Sequence, residues 1–447
     1  MSMYKRIRQF FTPLKTIAAV YIALILVGAL FLCMPFANTS GRFLSFTDSA
    51  FMSASAVTLT GLEAVAVPAQ FNVFGKIILL LLVQTGGLGF MSLTTVIFLA
   101  IGKNLSLRSR ILLKESISKN DLSDLAKITK RIVVFVFSAE VVGAALLMIR
   151  FIPIFGAEGV FISIFHSVSA FCNSGLYIFS GGFLHTAVQK DVLINIVTMV
   201  LVIAGGLGYF VFADISLKIK TKKKLELNTK IILIGSLVLI ISGALFYAVF
   251  EWQNGGTIGA SGAADKFFIS LFSSVYARSA GFSAVNINML NGHTKLLLSF
   301  LSFIGAAPGS TGGGLKITTV VLLLFAFKSG FKGEEQVVVS GKTLPVRQVY
   351  KAFAVLLYFI GGILFAAFLI AAVENGRFTI FDILFETVNA ICNSGMTTGI
   401  TLNLGIFSKY VIILLMYAGK AGLLIFSVHL TSKTAAMQYP ETRISIG

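Results

Sequence analysis

Along this chain, long apolar runs alternate with shorter segments in which apolar and small polar residues mix. Eight long runs stand out, at about 16–36, 77–101, 132–153, 193–215, 230–250, 296–326, 350–373 and 408–430. A helix needs about 20 apolar residues to cross the hydrocarbon core of a bilayer, so each run predicts a transmembrane helix. Within each consecutive pair lies one shorter segment: "SFTDSAFMSASAVTLTGL", "VFISIFHSVSAFCNSGL", "DKFFISLFSSVYARSAGF" and "IFDILFETVNAICNSGM". These are amphipathic over about four turns and too short to span. Each predicts a helix that enters the membrane and turns back.

Every short segment closes on one glycine, Gly61, Gly175, Gly281 or Gly395, about 105–115 residues apart. A single such glycine would read as a helix cap, but four at one period in one context read as an internal repeat. The second long run of each pair also repeats, around a glycine knot: "QTGGLGF" (84–90), "IAGGLGYF" (203–210), "GSTGGGLKI" (309–317) and "YAGKAGLLIF" (417–426). The module is helix, re-entrant helix, glycine-closed loop, helix. The divisions fall at 1–104, 105–216, 217–328 (with an intramembrane gate loop) and 329–447 (with a C-terminal tail). An even number of crossings starts every module on the same side, so the repeats are parallel about an axis along the membrane normal. The expected fold is an all-α integral membrane protein with four parallel helix–pore-helix–helix repeats around one central pore.

Composition agrees: of 447 residues, 56% are hydrophobic and 12% charged, about half the charged fraction of a soluble domain. The net charge of +18 is concentrated between modules. The segment "GKNLSLRSRILLKESISKNDLSDLAKITKR" has eight Lys/Arg against three acids, "LKIKTKKKLELNTK" six against one, and "FKSGFKGEEQVVVSGKTLPVRQVYK" five against two. The positive-inside rule then makes both termini and all inter-module loops cytoplasmic, with the re-entrant helices entering from outside. No basic domain stands apart from the membrane flanks, so nucleic acid is excluded as a partner. The basic loops suit an acidic partner or anionic membrane lipid. Three cysteines and four histidines lack metal or disulfide spacing. The loops carry no paired carboxylates, nucleophile elbow or phosphate loop, so the chain is not an enzyme. The first run, preceded by Lys5, Arg6 and Arg8, exceeds a signal-peptide core and is read as the first transmembrane helix.

Backbone that leaves helical geometry inside a membrane exposes carbonyls, tolerated only where protein or a water-filled cavity covers them. Four such loops around one axis form a ring of oxygens that can replace the hydration shell of a cation. Glycine permits the turn and leaves the hole open. The partly negative C-terminal ends of the re-entrant helices favour a cation there. Farther on, Pro308 with Gly309, Gly312, Gly313 and Gly314 in "GAAPGSTGGG" (305–314) breaks the sixth run into a loop near mid-membrane.

The stretches "TLTGL" (58–62), "FCNSGL" (171–176), "YARSAGF" (276–282), "ICNSGM" (391–396) and "PGSTGGGLKITT" (308–319) together resemble the Ktr/Trk/HKT superfamily of potassium transporters. The likeness is to the KtrB-type membrane subunit, over nearly the whole chain and without the extra N-terminal helices of Trk-type relatives. It implies potassium uptake through a filter built from four strands. These are Thr58, Leu59, Thr60 and Gly61; Cys172, Asn173, Ser174 and Gly175; Arg278, Ser279, Ala280 and Gly281; and Cys392, Asn393, Ser394 and Gly395. Glycine at all four closing positions is the potassium-selective version, and serine at the first is the sodium-favouring one. The resemblance makes Gly305, Pro308, Gly309, Ser310, Thr311, Gly312, Gly313 and Gly314 a gate beneath the filter. Lys420, the one clear charge deep in an apolar run, stands where relatives carry arginine. It is expected beside the gate loop, raising the barrier for cations. Arg278 is expected to point behind the filter and pair with Glu386 or Asp48, although Asp48 also reads as a helix cap.

The family further implies a homodimer with one pore per protomer, seated on a cytoplasmic ring of nucleotide-binding regulatory subunits (KtrA-like). Potassium is the permeant ion and sodium a stimulating one, and this chain itself binds no nucleotide. The competing reading is a secondary transporter coupling potassium to sodium or protons. It needs a titratable group at mid-membrane, where Lys420 has the wrong sign for sodium.

Overall fold

The computed structural model describes residues 13–100, 125–222, 224–334 and 336–422. Lys5, Arg6, Arg8, most of the first basic inter-repeat segment, the division at 104/105, the end of the 408–430 run and the C-terminal tail lie outside these residues. The first repeat comprises α1 (Pro13–Cys33), α2 (Phe46–Thr58) and α3 (Val73–Ala100). The second comprises α4 (Leu125–Phe155), α5 (Glu158–Phe171), α6 (Val192–Leu207) and α7 (Tyr209–Thr221). The third comprises α8 (Leu227–Glu251), α9 (Ala263–Ala277), α10 (Gly292–Phe303) and α11 (Ile317–Phe331). The fourth comprises α12 (Val346–Glu374), α13 (Ile380–Ile391) and α14 (Ile406–Tyr417), which runs into a π-helical turn at Ala418–Gly422. A small antiparallel hairpin, β1 (Val338–Val339) and β2 (Lys342–Thr343), is the only sheet among the described residues.

Lys130–Phe155, Leu227–Glu251 and Val346–Glu374 are each long and apolar enough to cross a membrane. Their outward faces carry exposed Val141, Ile149, Leu245, Leu357 and Phe368, as suits a hydrocarbon solvent. The second runs of the first two repeats depart from the expectation of one continuous span. Gly89 interrupts α3 with φ 66° and ψ 161°. Gly208, at φ 84°, separates α6 from α7, which meet at 90°. The third is split between α10 and α11, and the fourth loosens into its π turn. Glycine in the left-handed region lets the chain leave a helix at little steric cost. Helix α7 runs through 216/217 and α11 through 328/329.

The short helices α2, α5, α9 and α13 hold 12–15 residues, a rise of about 18–22 Å, so none crosses a bilayer. In three repeats the same contact seats them. Ser53 donates to the carbonyl of Ile25 (2.7 Å), Ser167 to that of Glu140 (2.7 Å) and Ser274 to that of Ile240 (2.8 Å). Three residues after each acceptor stands a glycine, Gly28, Gly143 or Gly243, whose missing β-carbon makes room for that hydroxyl. In the fourth repeat Thr387 instead bonds within its own helix, to Leu384.

Ion pairs then link neighbouring repeats. Lys295 on α10 meets Asp382 on α13 (3.5 Å), and Lys409 on α14 meets Asp48 on α2 (2.7 Å). Both acids also lie in capped first turns, where Ser45 and Thr379 accept the backbone N–H of Asp48 and Asp382. The second pair joins the last repeat to the first.

Candidate functional site

The C-terminal ends of α2, α5, α9 and α13 run directly into the four glycine-closed tetrads. All four share one alternation of φ, although the third departs at Arg278, whose ψ is 64° against −6° at Cys172 and −3° at Cys392. The second residue and the closing glycine take positive φ: Leu59 61° and Gly61 85°, Asn173 56° and Gly175 76°, Ser279 70° and Gly281 73°, Asn393 50° and Gly395 76°. An L-residue held there costs about 1–2 kcal/mol, so four repetitions mark a shape imposed by the site rather than by local preference. Left- and right-handed residues in alternation turn successive peptide planes the same way, which a regular pleated strand does not do.

The tetrads close on one another. A β-carbon on Gly61 would lie 2.1 Å from the carbonyl oxygen of Ser174, and one on Gly175 2.6 Å from that of Ala280. On Gly281 it would lie 2.7 Å from that of Ser394, and on Gly395 1.9 Å from that of Thr60. The order first, second, third, fourth, first is a ring. The carbonyls of Thr60, Ser174, Ala280 and Ser394 occupy the level of the glycines, and no side chain fits there.

The repeated Cys-Asn-Ser-Gly tetrad gains a reason. With its amide turned so that the nitrogen faces them, Asn173 donates to the carbonyls of Val202 and Ala170 (both 3.1 Å), and Asn393 donates to the carbonyl of Met416 and to Thr60 Oγ1 (both 2.9 Å). Asparagine tolerates the left-handed conformation and ties its strand to the second helix of its repeat. Thr58 Oγ1 bonds the Ala54 carbonyl and Thr60 Oγ1 (both 2.7 Å), while Ser394 donates to the Ala277 carbonyl (3.2 Å). The glycine knots have a related cause. Gly86, Gly205 and Gly419 pack their α-carbons on the carbonyls of Val57, Phe171 and Ile391, the residues that immediately precede the tetrads. In the third repeat Ser302 serves that carbonyl, on Ala277, with a hydrogen bond of 2.9 Å.

Beneath the ring, residues 304–316 cross between the second and fourth repeats. Ala307 N and Thr311 N donate to the carbonyls of Gly206 (3.0 Å) and Gly205 (3.3 Å), and Thr311 Oγ1 to that of Phe171 (3.2 Å). Gly305 N bonds the Leu315 carbonyl, closing the loop at its base. Ser310 turns back on the carbonyl of Ala307, next to Pro308, whose own carbonyl packs against Gly208. Gly309 and Gly314 take φ of 73° and 74°, Gly312 packs against Ser279, and Gly313 lies against the carbonyl of Cys392. Ser279 Oγ reaches the Gly313 carbonyl from above at 3.4 Å. Lys420 Nζ donates to the carbonyl of Thr311 at 2.6 Å.

Lys420 is not the only half-buried charge at this level. Lys316 Nζ donates to the carbonyl of Gly312 at 2.6 Å, so adjacent carbonyls of the 304–316 loop each accept from an ammonium. Behind the second strand, Glu140 receives both contacts of the Gln84 amide (3.1 Å each) and faces the thiol of Cys172 (3.8 Å). Lys316 and Glu140 meet the criterion that singles out Lys420, a charge within a long apolar run. Arg278 differs from expectation. It donates to the hydroxyl (3.2 Å) and carbonyl (3.5 Å) of Ser236 on α8, not to Glu386 or Asp48. Those acids are engaged elsewhere: Glu386 by Thr397, Thr398 and Thr401, Asp48 by Lys409. Asp48 moreover sits in the first turn of α2, the end far from the glycine ring. Cys33, Cys172 and Cys392 are free thiols.

Comparison with known proteins agrees with this architecture. A family model described as "TrkH: Cation transport protein" matches residues 9–437. The chain is 34% identical over 452 residues to the potassium/sodium uptake protein NtpJ of Enterococcus hirae, covering 100% of this chain and 99% of that one. It is 32% identical over 440 residues to the Ktr system potassium uptake protein B of Bacillus subtilis, covering 98% and 97%. The crystal structure of the potassium transporter TrkH from Vibrio parahaemolyticus superposes with a TM-score of 0.72 at 19% identity, over 93% of this chain and 83% of that one, a likeness of fold.

Proposed function

This chain belongs to the TrkH family of cation transport proteins and is a potassium uptake transporter; from that premise we propose that the ion enters through one gated pore whose selective element is the ring of main-chain oxygens at Gly61, Gly175, Gly281 and Gly395. The observation that carries this reading is the cyclic closure of the tetrads, each glycine facing the carbonyl before the next. Such oxygens stand in for the water that potassium sheds. The 304–316 loop is the gate. Lys420 and Lys316 hold its carbonyls and set positive charge on the exit path, so conduction requires the loop and its two ammonium contacts to move aside.

In this reading both termini are cytoplasmic, potassium moves inward down its electrochemical gradient, and the protein is a homodimer with one pore per protomer. A relative named for the Ktr system supports a partner subunit, which we take to be a cytoplasmic nucleotide-binding ring acting through the basic inter-repeat loops. A relative named for potassium and sodium uptake supports sodium as a second cation. Coupling to sodium or protons would need a mid-membrane group that exchanges with the pore. Glu140, the acid at that depth, is enclosed by Gln84 and Cys172, which favours the uncoupled pore.

Rubidium uptake by a potassium-uptake-deficient host, with and without sodium, tests the proposal when this chain is compared with Gly61→Ser and Lys420→Gln. Saturable uptake that Gly61→Ser shifts toward sodium and Lys420→Gln accelerates supports it. Uptake indifferent to both substitutions refutes it.

A further inference from the structure

Above the ring lies a cavity of about 200 Å³ whose floor is formed by the four closing glycines. Its wall repeats as the filter does, with the residue two positions after each glycine: Glu63, Tyr177, Ser283 and Thr397. Three of the four are neutral hydroxyls, and Glu63 is the one charged residue lining the space. No lysine or arginine lines it to neutralise that carboxylate.

A second acid nearby sharpens the contrast. Glu386 is bonded by Thr397, Thr398 and Thr401, so both its oxygens are occupied in holding the rim. Glu63 takes the backbone N–H of Val67, while its Oε1 is shielded from bulk water and accepts no hydrogen bond. A shielded, unsatisfied carboxylate oxygen is costly unless a proton donor or a cation completes it. The apolar walls supplied by Phe183, Val285 and Leu402 keep field lines within the mouth, which strengthens attraction for a positive ion.

We propose that Glu63 makes this outer mouth a cation-docking site, where a potassium ion still carrying part of its water is held to one side of the axis before it drops into the ring. The inference rests on the pore reading above and adds its entry step. The neutral oxygens of Tyr177, Ser283 and Thr397 replace water on the remaining faces of the ion. Docking raises the local ion concentration without touching the ring, so it governs how much external potassium the protein needs rather than how fast a loaded pore conducts.

The test is the initial rate of rubidium uptake against external concentration, for the full chain in a potassium-uptake-deficient host at low ionic strength. Glu63→Gln is expected to raise the half-saturating concentration about fivefold, the scale of one unit charge near contact across a wet cavity. Its maximal rate stays within about twofold, and that maximal rate also reports that the variant folds. Glu63→Lys raises half-saturation further, and added choline chloride shrinks the wild-type advantage. Unchanged half-saturation in Glu63→Gln, or a fall in maximal rate alone, overturns the docking site while leaving the pore reading intact. Absence of saturable uptake by the wild-type chain overturns the pore reading, and the docking site with it.

Discussion

Lys420 reaches across from the π-helical turn of the fourth repeat to the carbonyl of Thr311, 109 residues away and 2.6 Å distant. Lys316 makes the same bond to the next carbonyl, that of Gly312. Lys420 therefore pins the 304–316 loop to the fourth repeat, while Lys316, at the loop's own end, folds it back on itself; each charge-assisted hydrogen bond is worth about 1.5–3 kcal/mol. Lys420→Gln should shift the gate toward the conducting state about ten- to a hundredfold, seen as faster rubidium uptake. Lys316→Gln should act in the same direction and the double variant should exceed either. Unchanged flux in both single variants would reduce the lysines to packing.

The ring predicts an order of severity. Alanine at Gly395 or Gly61 drives a β-carbon to 1.9 or 2.1 Å from a carbonyl oxygen, whereas at Gly175 or Gly281 the approach is 2.6 or 2.7 Å. Gly395→Ala and Gly61→Ala should lower potassium uptake most, by more than about tenfold, since each adds a clash to the left-handed strain. Equal effects at all four positions would contradict the geometry.

Gly205 and Gly361 make a matched pair for stability. Gly205 packs on the carbonyl of Phe171, while a β-carbon on Gly361 of α12 meets nothing within 4 Å. Gly205→Ala should lower the thermal midpoint in detergent and cut the folded yield. Gly361→Ala should be neutral or stabilise by up to about 1 kcal/mol through helix propensity. Heat-unfolding curves of the two purified variants decide this.

The Lys409–Asp48 pair is half-sheltered, with 11% and 21% of the two side chains exposed, and it joins the chain's last repeat to its first. Asp48→Asn should cost about 1–3 kcal/mol, and the exchanged pair Asp48→Lys with Lys409→Asp should recover part of that. A double-mutant cycle on thermal stability showing no coupling would make the contact incidental.

Much of the fold is legible in the sequence because a membrane removes alternatives. Apolar runs of spanning length have one use, and a fourfold period of short segments closing on Gly61, Gly175, Gly281 and Gly395 points to one axis. Lys420 is legible for the same reason, as a charge where lipid admits none. The rest is carried by contacts with no linear signature. Ser236, the partner of Arg278, is one serine among many and stands 42 residues away. The positive φ of Leu59 could not be read from a residue that normally avoids it. The breaks at Gly89 and Gly208 are hidden because apolar residues continue on both sides of them. Ser53, Ser167 and Ser274 look like surface serines of amphipathic helices until Gly28, Gly143 and Gly243 are brought beside them.

The asparagine anchors have a mechanical consequence. Asn173 and Asn393 belong to the second and fourth strands, which face each other across the axis, whereas the other diagonal bears Leu59 and Ser279. The aperture thus has one braced diameter and one more compliant. Thermal breathing should stretch it into an ellipse whose long axis runs through the first and third strands, and a wider or narrower cation would be accommodated along that direction first.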